Sequence, residues 1–263
     1  MKRFIAAALV SIGIAGPIAA HAANVSIVYF DADQVGTDVM QEALNFLGPG
    51  LSVTVAPSAS AFQTDISSNS YNIGILLLNS TSDSSYSGAI SALSTFVSNG
   101  GKAIFSDMSG NASSESTFGV NQLSTGPGTT NYSSFSLLNN GIQSYLPSSI
   151  AVSNPGYTLY ALGAFSALSG HTIEGLASGA SQSTSPIVEG LSASGYTTAD
   201  TFWNGFADGA VSGTNGVQLY ENEIDVLAGL TPQPVPLPAT AWLMLIGLGF
   251  FGVMARSRKA AQA

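Results

Sequence analysis

The chain of 263 residues contains no cysteine. This absence excludes a cysteine nucleophile, thiolate-bound zinc and iron–sulfur clusters as sources of activity. It also excludes disulfides, which exported proteins can form, so the fold must depend on packing alone. Histidine is nearly as scarce: His21 and His171 are the only two, which excludes a metal site built from several histidines.

Basic residues are also scarce and lie almost entirely at the two ends. Of the six lysines and arginines, Lys102 alone lies between residues 4 and 255. All fifteen acidic residues lie between Asp31 and Asp225, so with one lysine this central region carries a net charge of −14. We therefore expect no binding to nucleic acid, because the polyanion would be repelled.

Residues 1–22 have the three parts of a secretory signal. Lys2 and Arg3 supply the positive start, residues 4–18 are apolar, and residues 20–22 read Ala-His-Ala, a small-residue cleavage site. The pattern predicts export through the secretion translocon and removal of this segment by signal peptidase. A transmembrane helix is the alternative, but the apolar run is short and the cleavage site follows at once.

The other end of the chain carries a second apolar run. Residues 239–255 contain no charge and are just long enough to span a bilayer of about 30 Å as a helix. Arg256, Arg258 and Lys259 follow and are expected to stay in the cytoplasm. The pattern predicts an inner-membrane helix that holds the central region in the periplasm and ends in a basic cytoplasmic tail.

A proline-rich box directly precedes this helix. The order of box, single hydrophobic helix and terminal basic cluster resembles the PEP-CTERM sorting signal in its VPLPA variant, with the box formed by Val235, Pro236, Leu237, Pro238 and Ala239. The resemblance implies recognition by exosortase, removal of the helix, and delivery to the cell surface or the extracellular matrix. Such tails are typical of Gram-negative bacteria that make exopolysaccharide and biofilm. Leu237 departs from the commoner glutamate, and an uncleaved anchor remains the alternative.

The first half of the central region alternates between strand and helix patterns. Strands are predicted where β-branched, aromatic or apolar residues form short runs, and helices where apolar residues recur every three or four positions. Asp38 and Gln41 are expected to cap the first helix, and Asn99-Gly100-Gly101 to end the second. The predicted order is strand 25–30, helix 39–47, strand 51–55, strand 71–78, helix 86–97 and strand 102–105.

This alternation predicts an α/β fold whose mostly parallel sheet is flanked by helices, as in flavodoxin-like proteins. Residues 108–140 are rich in serine, threonine, asparagine and glycine and are expected to form a surface excursion. Strands are predicted at residues 157–162 and 216–220, followed by a closing helix at residues 221–230. The second half is therefore expected to be β-rich, with antiparallel or mixed pairing.

The patterns divide the chain into five parts. About 210 residues remain once both ends are set aside, which is enough for one domain with a sizeable core. No internal repeat divides that region further. The predicted parts are a signal peptide at 1–22, an α/β extracytoplasmic body at 23–230, a linker and sorting box at 231–238, a transmembrane helix at 239–255 and a basic tail at 256–263.

The body also resembles the class I glutamine amidotransferase-like fold. The most specific segment is FVSNGGKAIFSD at residues 96–107, where a helix ends in Gly-Gly and a strand follows, and the strand predicted at residues 216–220 before a last helix also fits. The resemblance implies that Asp107 lies near the family's catalytic cysteine. Because aspartate cannot form the thioester that glutamine hydrolysis needs, we expect no amidotransferase activity.

Two residues are candidates for a divergent hydrolase. Asp107 would lie at the position that the resemblance makes catalytic, and His171 is the one histidine outside the signal, so it could serve a nucleophile as a base. No G-x-S-x-G sequence accompanies His171, and a single histidine in a Ser/Gly-rich loop is usually an exposed residue. Catalysis is therefore the less favoured interpretation.

The segment FDADQVGTD at residues 30–38 is the best small-ligand candidate. It follows the first strand, and open α/β sheets bind ligands at the carboxyl ends of their strands. Asp31, Asp33 and Asp38 could meet Asp107 there and hold Ca²⁺ or Mg²⁺. The alternative, which needs no cofactor, is that these acids cap the next helix or are simply solvated.

Taken with the sorting tail, these features predict an exported protein of the cell surface or extracellular matrix. We expect a non-catalytic structural or binding module that associates with exopolysaccharide. The extracytoplasmic hydrolase is the alternative function. Before processing, the protein would sit in the inner membrane through its C-terminal helix.

Overall fold

The computed structural model describes the body of the chain in segments. Among the described residues, no helix is long and apolar enough to cross a membrane. The predicted signal, sorting box, membrane helix and basic tail lie outside the described residues, as do Asp33 and His171. The described residues are 24–32, 36–47, 50–78, 83–107, 120–122, 134–137, 142–151, 165–167, 172–175, 177–179, 189–193, 201–204, 208–211, 213–232 and 234.

Strands follow one another along the whole described chain. The first half supplies β1 (Val25–Asp31), β2 (Leu51–Val55), β3 (Ile73–Leu78) and β4 (Lys102–Asp107). The second half supplies shorter strands, which are β5 (Val120–Gln122), β6 (Ser134–Leu137), β7 (Ser149–Ala151), β8 (Phe165–Ala167), β9 (Thr172–Gly175), β10 (Ala177–Gly179), β11 (Glu189–Ala193) and β12 (Thr201–Asn204).

Seven of these strands form the main sheet, in the order β2-β1-β3-β4-β12-β11-β9. The first five are parallel, whereas β11 runs antiparallel to both β12 and β9. Small antiparallel sheets join β10-β6-β7 and β5-β8. With β12 as the fifth parallel strand, the order is that of doubly wound flavodoxin-like sheets. The predicted α/β fold, with its parallel first half and mixed second half, is confirmed.

Four helices cover the two faces of this sheet. They are α1 (Val39–Phe46), α2 (Ala59–Ser67), α3 (Ser87–Ser98), which follows a 3₁₀ turn at Ser84–Tyr86, and α4 (Gly213–Ala228). Buried residues of α1 and α4 pack in one core with Ile27 and Tyr29, and those of α2 and α3 pack in a second core with Val28. Side chains alternate between the faces of a strand, so β1 contributes to both cores.

The centre of the sheet is buried on both sides. Every residue of β3 is buried, as its continuous apolar run predicts. Gly74 in this strand lies directly under α2 and α3, where a Cβ would be 2.6 Å from Leu93 Cδ1 and 2.9 Å from Ile66 Cδ1. The missing side chain therefore lets both helices approach the sheet closely.

The predicted end of α3 is confirmed in detail. Asn99 is the C-cap, and Gly100 has the positive φ of 92° that a left-handed cap requires. The amide of Gly101 donates to Phe96 O at 3.0 Å, and that of Gly100 to Val97 O at 2.9 Å. The helix is thereby closed within one turn, and β4 begins immediately after it.

The strand predicted at residues 216–220 is wrong, because these residues form the first half of α4. A five-residue Gly-Val-Gln-Leu-Tyr run has too little length to show its period. Over the whole helix the pattern is clear, since buried apolar residues recur every three or four positions, at Val217, Tyr220, Ile224 and Leu227. The closing helix predicted at residues 221–230 is therefore the second half of a longer one.

The other differences also concern short elements. No prediction covered α2, whose stripe is limited to Phe62 and Ile66 and whose N-cap is Ser58, which accepts from Ala61 N at 3.1 Å. The segment at 108–140, predicted as a surface excursion, contains the short strands β5 and β6. The strand predicted at residues 157–162 lies outside the described residues.

Candidate functional site

Acidic residues gather at the carboxyl end of the parallel strands. Asp31 is the last residue of β1 and pairs with Leu77 of β3, and Asp38 lies just before α1. Asp208 follows β12, the fifth parallel strand, after a short connection. Ligands of open α/β sheets bind at this edge, so the acids occupy the position where a functional site is expected.

Three carboxylates meet at this edge. One oxygen from each of Asp31, Asp38 and Asp208 lies within 4.8 Å of the others. Asp208 is fully buried, whereas Asp31 and Asp38 are half-buried. We call these three residues the acidic cluster.

Asp208 binds the start of α1 with both of its oxygens. Oδ2 accepts from Val39 N at 3.0 Å, and Oδ1 accepts from Met40 N at 3.1 Å. The first amides of a helix have no partner within the helix, so a carboxylate there satisfies them. Asp208 therefore ties the segment after β12 to α1, across 169 positions of sequence.

Asp38 is the N-cap of the same helix, as its spacing to Gln41 predicts. Its Oδ1 accepts from Gln41 N at 2.6 Å and from the Tyr29 hydroxyl at 2.9 Å. The Gln41 side chain does not complete a capping box and instead donates to Asn45 Oδ1 at 3.2 Å. Asp38 and Asp208 together satisfy the free amides of the first turn of α1.

The cluster holds more negative charge than its surroundings favour. Burial, followed by the charges of Asp31 and Asp38, raises the pKa of Asp208 to about 8, and the bonds from Met40 and Val39 offset only part of this. Burial also raises the pKa of Tyr29, with Asp31, Asp208 and Asp38 adding to the effect. Below about pH 8, Asp208 is therefore mainly protonated.

A buried polar layer from α4 lies behind the cluster. Asn204, the last residue of β12, donates to Glu223 Oε2 at 3.1 Å, and both side chains are fully buried. Burial raises the pKa of Tyr220 well above its usual value, with Asp208 and Glu223 as further causes. This layer explains why α4 carries polar residues on faces that are closed to solvent.

The acidic cluster has the oxygen ligands that a hard divalent cation prefers. The hydrogen bonds of Asp38 and Asp208 give these residues a structural role that needs no cation. Both interpretations made from the sequence therefore remain, and binding of Ca²⁺ or Mg²⁺ stays a prediction.

The remaining predicted site residues are placed less fully. Asp107 is the last residue of β4 and pairs with Leu78, but its side chain is outside the described residues. Sequence reasoning missed Asp208 altogether. The only signal was an acid shortly after an aromatic strand, TFWN, the same arrangement that pointed to Asp31.

Replacing Asp38 by alanine is expected to lower the free energy of unfolding by about 1–2 kcal/mol, because α1 loses its N-cap. Asp38→Asn is the matched control, since asparagine caps equally well, and it should change stability by only a few tenths of a kcal/mol. Urea unfolding of both variants measures the difference. Equal loss in both would show that the charge of Asp38 matters and not its capping bond.

The fold and its carboxyl-edge site define an α/β body of the doubly wound class. The chain carries a known sorting signal beyond this body: residues 234–259 match the PEP-CTERM protein-sorting motif. The match agrees with the box and basic cluster predicted from the sequence, and it supports export and processing by exosortase.

Other comparisons bear on the body. A search of the curated proteins found no match. A crystal structure from Thermoplasma acidophilum, described as that of a GMP synthase subunit, is similar with a TM-score of 0.48 and 12% identity, and the likeness covers 78% of this chain and 94% of that one. It is consistent with the amidotransferase-like resemblance, but the fold is assigned from the strand order.

Proposed function

We propose that this protein is a non-catalytic binding or structural module, displayed at the cell surface or in the matrix of an exopolysaccharide-producing Gram-negative bacterium. The observation that carries the proposal is the sorting motif at residues 234–259. In this proposal residues 239–255 hold the chain in the inner membrane until exosortase removes them. The acidic body then leaves the membrane and associates with exopolysaccharide.

The junction between body and motif suits such processing. Gly229 has a φ of 71°, and the amide of Leu230 donates to Asp225 O at 2.7 Å, which closes α4. About five residues then separate Leu230 from the box, and at full extension they span at most about 18 Å. The cleavage site would therefore stay close to the folded body and to the membrane surface.

The intact mass of the protein recovered from its host tests this proposal. We expect the wild-type mass to lack everything after the box at residues 235–239, and an exosortase-deficient strain to retain the whole tail. A Pro236→Ala/Pro238→Ala variant should also retain it. The control Thr231→Ala, which lies outside the motif, should be processed normally.

A tail that persists in both strains would overturn the proposal and make the helix a permanent anchor. We do not extend the proposal to hydrolysis. That alternative depends on the side chains of Asp107 and His171, both of which lie outside the described residues.

A further inference from the structure

The opposite, amino-terminal edge of the sheet carries a cavity of about 580 Å³. It lies between the starts of β1 and β4, the turn after α3 and the last turn of α4. This volume is within the range of ligand pockets in proteins. The acidic cluster is at the other end of the strands, so the cavity is a separate feature of the fold.

Side-chain amides dominate the polar lining of this cavity. Asn72 Oδ1 accepts from Ser26 N at 2.9 Å and from Ser26 Oγ at 3.0 Å, which fixes this amide and leaves its Nδ2 donors available. The side chains of Asn69 and Asn99 also line the cavity, and no hydrogen bond with another described residue occupies them. Amides offer donors and acceptors together, as hydroxyl-rich ligands require.

A second cavity of about 330 Å³ adjoins the first and shares Asn69, Phe96 and Asn99 with it. It continues between α2 and α3, where its lining includes Gln63, Ser91 and other hydroxyl side chains. The two cavities together form an extended polar groove. An extended groove suits a chain of several linked units better than a single small molecule.

The groove differs from the rest of the body in charge. No carboxylate lines either cavity, although the body carries fifteen acidic residues. Its one cation, Lys102, donates from Nζ to Leu227 O at 2.7 Å and so sits against the negative end of α4. The lining is therefore nearly neutral, and the strongly acidic body would repel a polyanion.

Aromatic surface completes the groove. Tyr71 is half-buried in the wall of the first cavity, and Phe96 forms part of the wall of both. Gly101 holds Phe96 in place, because a Cβ on this residue would overlap the Phe96 ring. An aromatic face beside several amides gives apolar contact and hydrogen bonds at once.

We propose that this groove binds a neutral oligosaccharide segment. Its amides and hydroxyls would hydrogen-bond the sugar hydroxyls, and Tyr71 would contact the apolar face of one ring. This inference rests on the proposed function, since it names the surface by which the displayed body would hold matrix polysaccharide.

Isothermal titration of the full chain in a detergent without sugar groups tests the groove. The probes are cellotetraose, maltotetraose, tetragalacturonate and the neutral fraction of hydrolysed host exopolysaccharide. We expect saturable binding of at least one neutral probe without its cleavage. Asn99→Ala should weaken it about tenfold, because this amide lines both cavities and a lost hydrogen bond has about that effect.

Asn45→Ala is the matched control, because Asn45 is exposed on α1 and lines neither cavity. It should bind like the wild type, and Tyr71→Ala should bind more weakly. Thermal unfolding verifies that each variant is folded.

Three results would overturn the inference: no neutral probe binds, Asn99→Ala binds as well as the wild type, or tetragalacturonate binds most tightly. Failure of the proposed function is separate, because it appears in the mass of the protein from its host. A processed protein without sugar binding would remove only the groove. An unprocessed protein that binds sugar would remove only the sorting.

Discussion

Replacing Gly216 by alanine is expected to destabilise the protein by about 3 kcal/mol. This glycine is buried in the first turns of α4, where a Cβ would overlap the backbone oxygen of Val211 and lie 2.8 Å from Val39 Cγ1. Backbone cannot turn aside as a long side chain can, so α4 would have to move away from α1. That loss should exceed the gain of about 1 kcal/mol that alanine brings to a helix.

Gly88→Ala is the matched control for this substitution. Gly88 also lies in a helix, but its added Cβ would overlap only the amide end of the Gln63 side chain, which is exposed and can rotate. We expect Gly88→Ala to be neutral or to stabilise by up to about 1 kcal/mol. Urea unfolding of both variants gives the comparison. A small effect at Gly216 would mean that α4 packs less closely on α1 than the structure shows.

The same glycine explains one failure of sequence reasoning. In sequence, Gly216 begins a short run with strand character, and nothing local shows that a helix passes within contact distance of Val211. The close approach belongs to tertiary structure, and only the full helix from Gly213 displays its period. By contrast, the ends of α1 and α3 were predictable because the cap of Asp38 and the glycines after Asn99 act within a few residues.

The candidate site divides along the same line. The sequence places Asp31 and Asp38 at the carboxyl edge, because each lies next to an element whose pattern is local. Asp208 reaches α1 from the end of a four-residue strand in a region rich in serine and glycine. Its partners are main-chain amides, which leave no mark in the sequence. The buried acid that most affects the electrostatics of the site was therefore the one that could not be predicted.

This acid leads to the second large prediction, a fall in stability as pH rises. In the unfolded chain an aspartate titrates near pH 4, whereas burial and the charges of Asp31 and Asp38 raise the pKa of Asp208 to about 8 in the fold. Between these values unfolding releases a proton, so the free energy of unfolding decreases with pH and levels off above pH 8. For Asp208 the total loss is on the order of 5 kcal/mol.

Asp208→Asn should remove most of this dependence. Asparagine keeps one oxygen for the amides of Val39 and Met40 but has no charge to bury, so we expect stability within about 1 kcal/mol of the wild type at pH 5 and clearly higher stability at pH 8. Glu221, whose pKa burial and Asp225 raise to about 8, should leave a residual slope of the same sign. Urea unfolding between pH 5 and pH 9 measures both effects.

Asp83→Asn is the control for the pH series. Asp83 is exposed, and hydrogen bonds from Ser85 lower its pKa, so it stays ionised throughout the range. Its replacement should leave the slope unchanged. Equal slopes in the wild type and Asp208→Asn would show that Asp208 is already ionised in the fold at pH 5.

Calcium added to the same series separates the two interpretations of the acidic cluster. A bound divalent cation favours the ionised carboxylates, so it would flatten the pH dependence of the wild type. Asp208→Asn, with one ligand fewer, should respond much less. If calcium leaves the wild-type slope unchanged, the cluster acts through its bonds to α1 alone, and the raised pKa of Asp208 is a consequence of fixing the start of this helix with a buried acid.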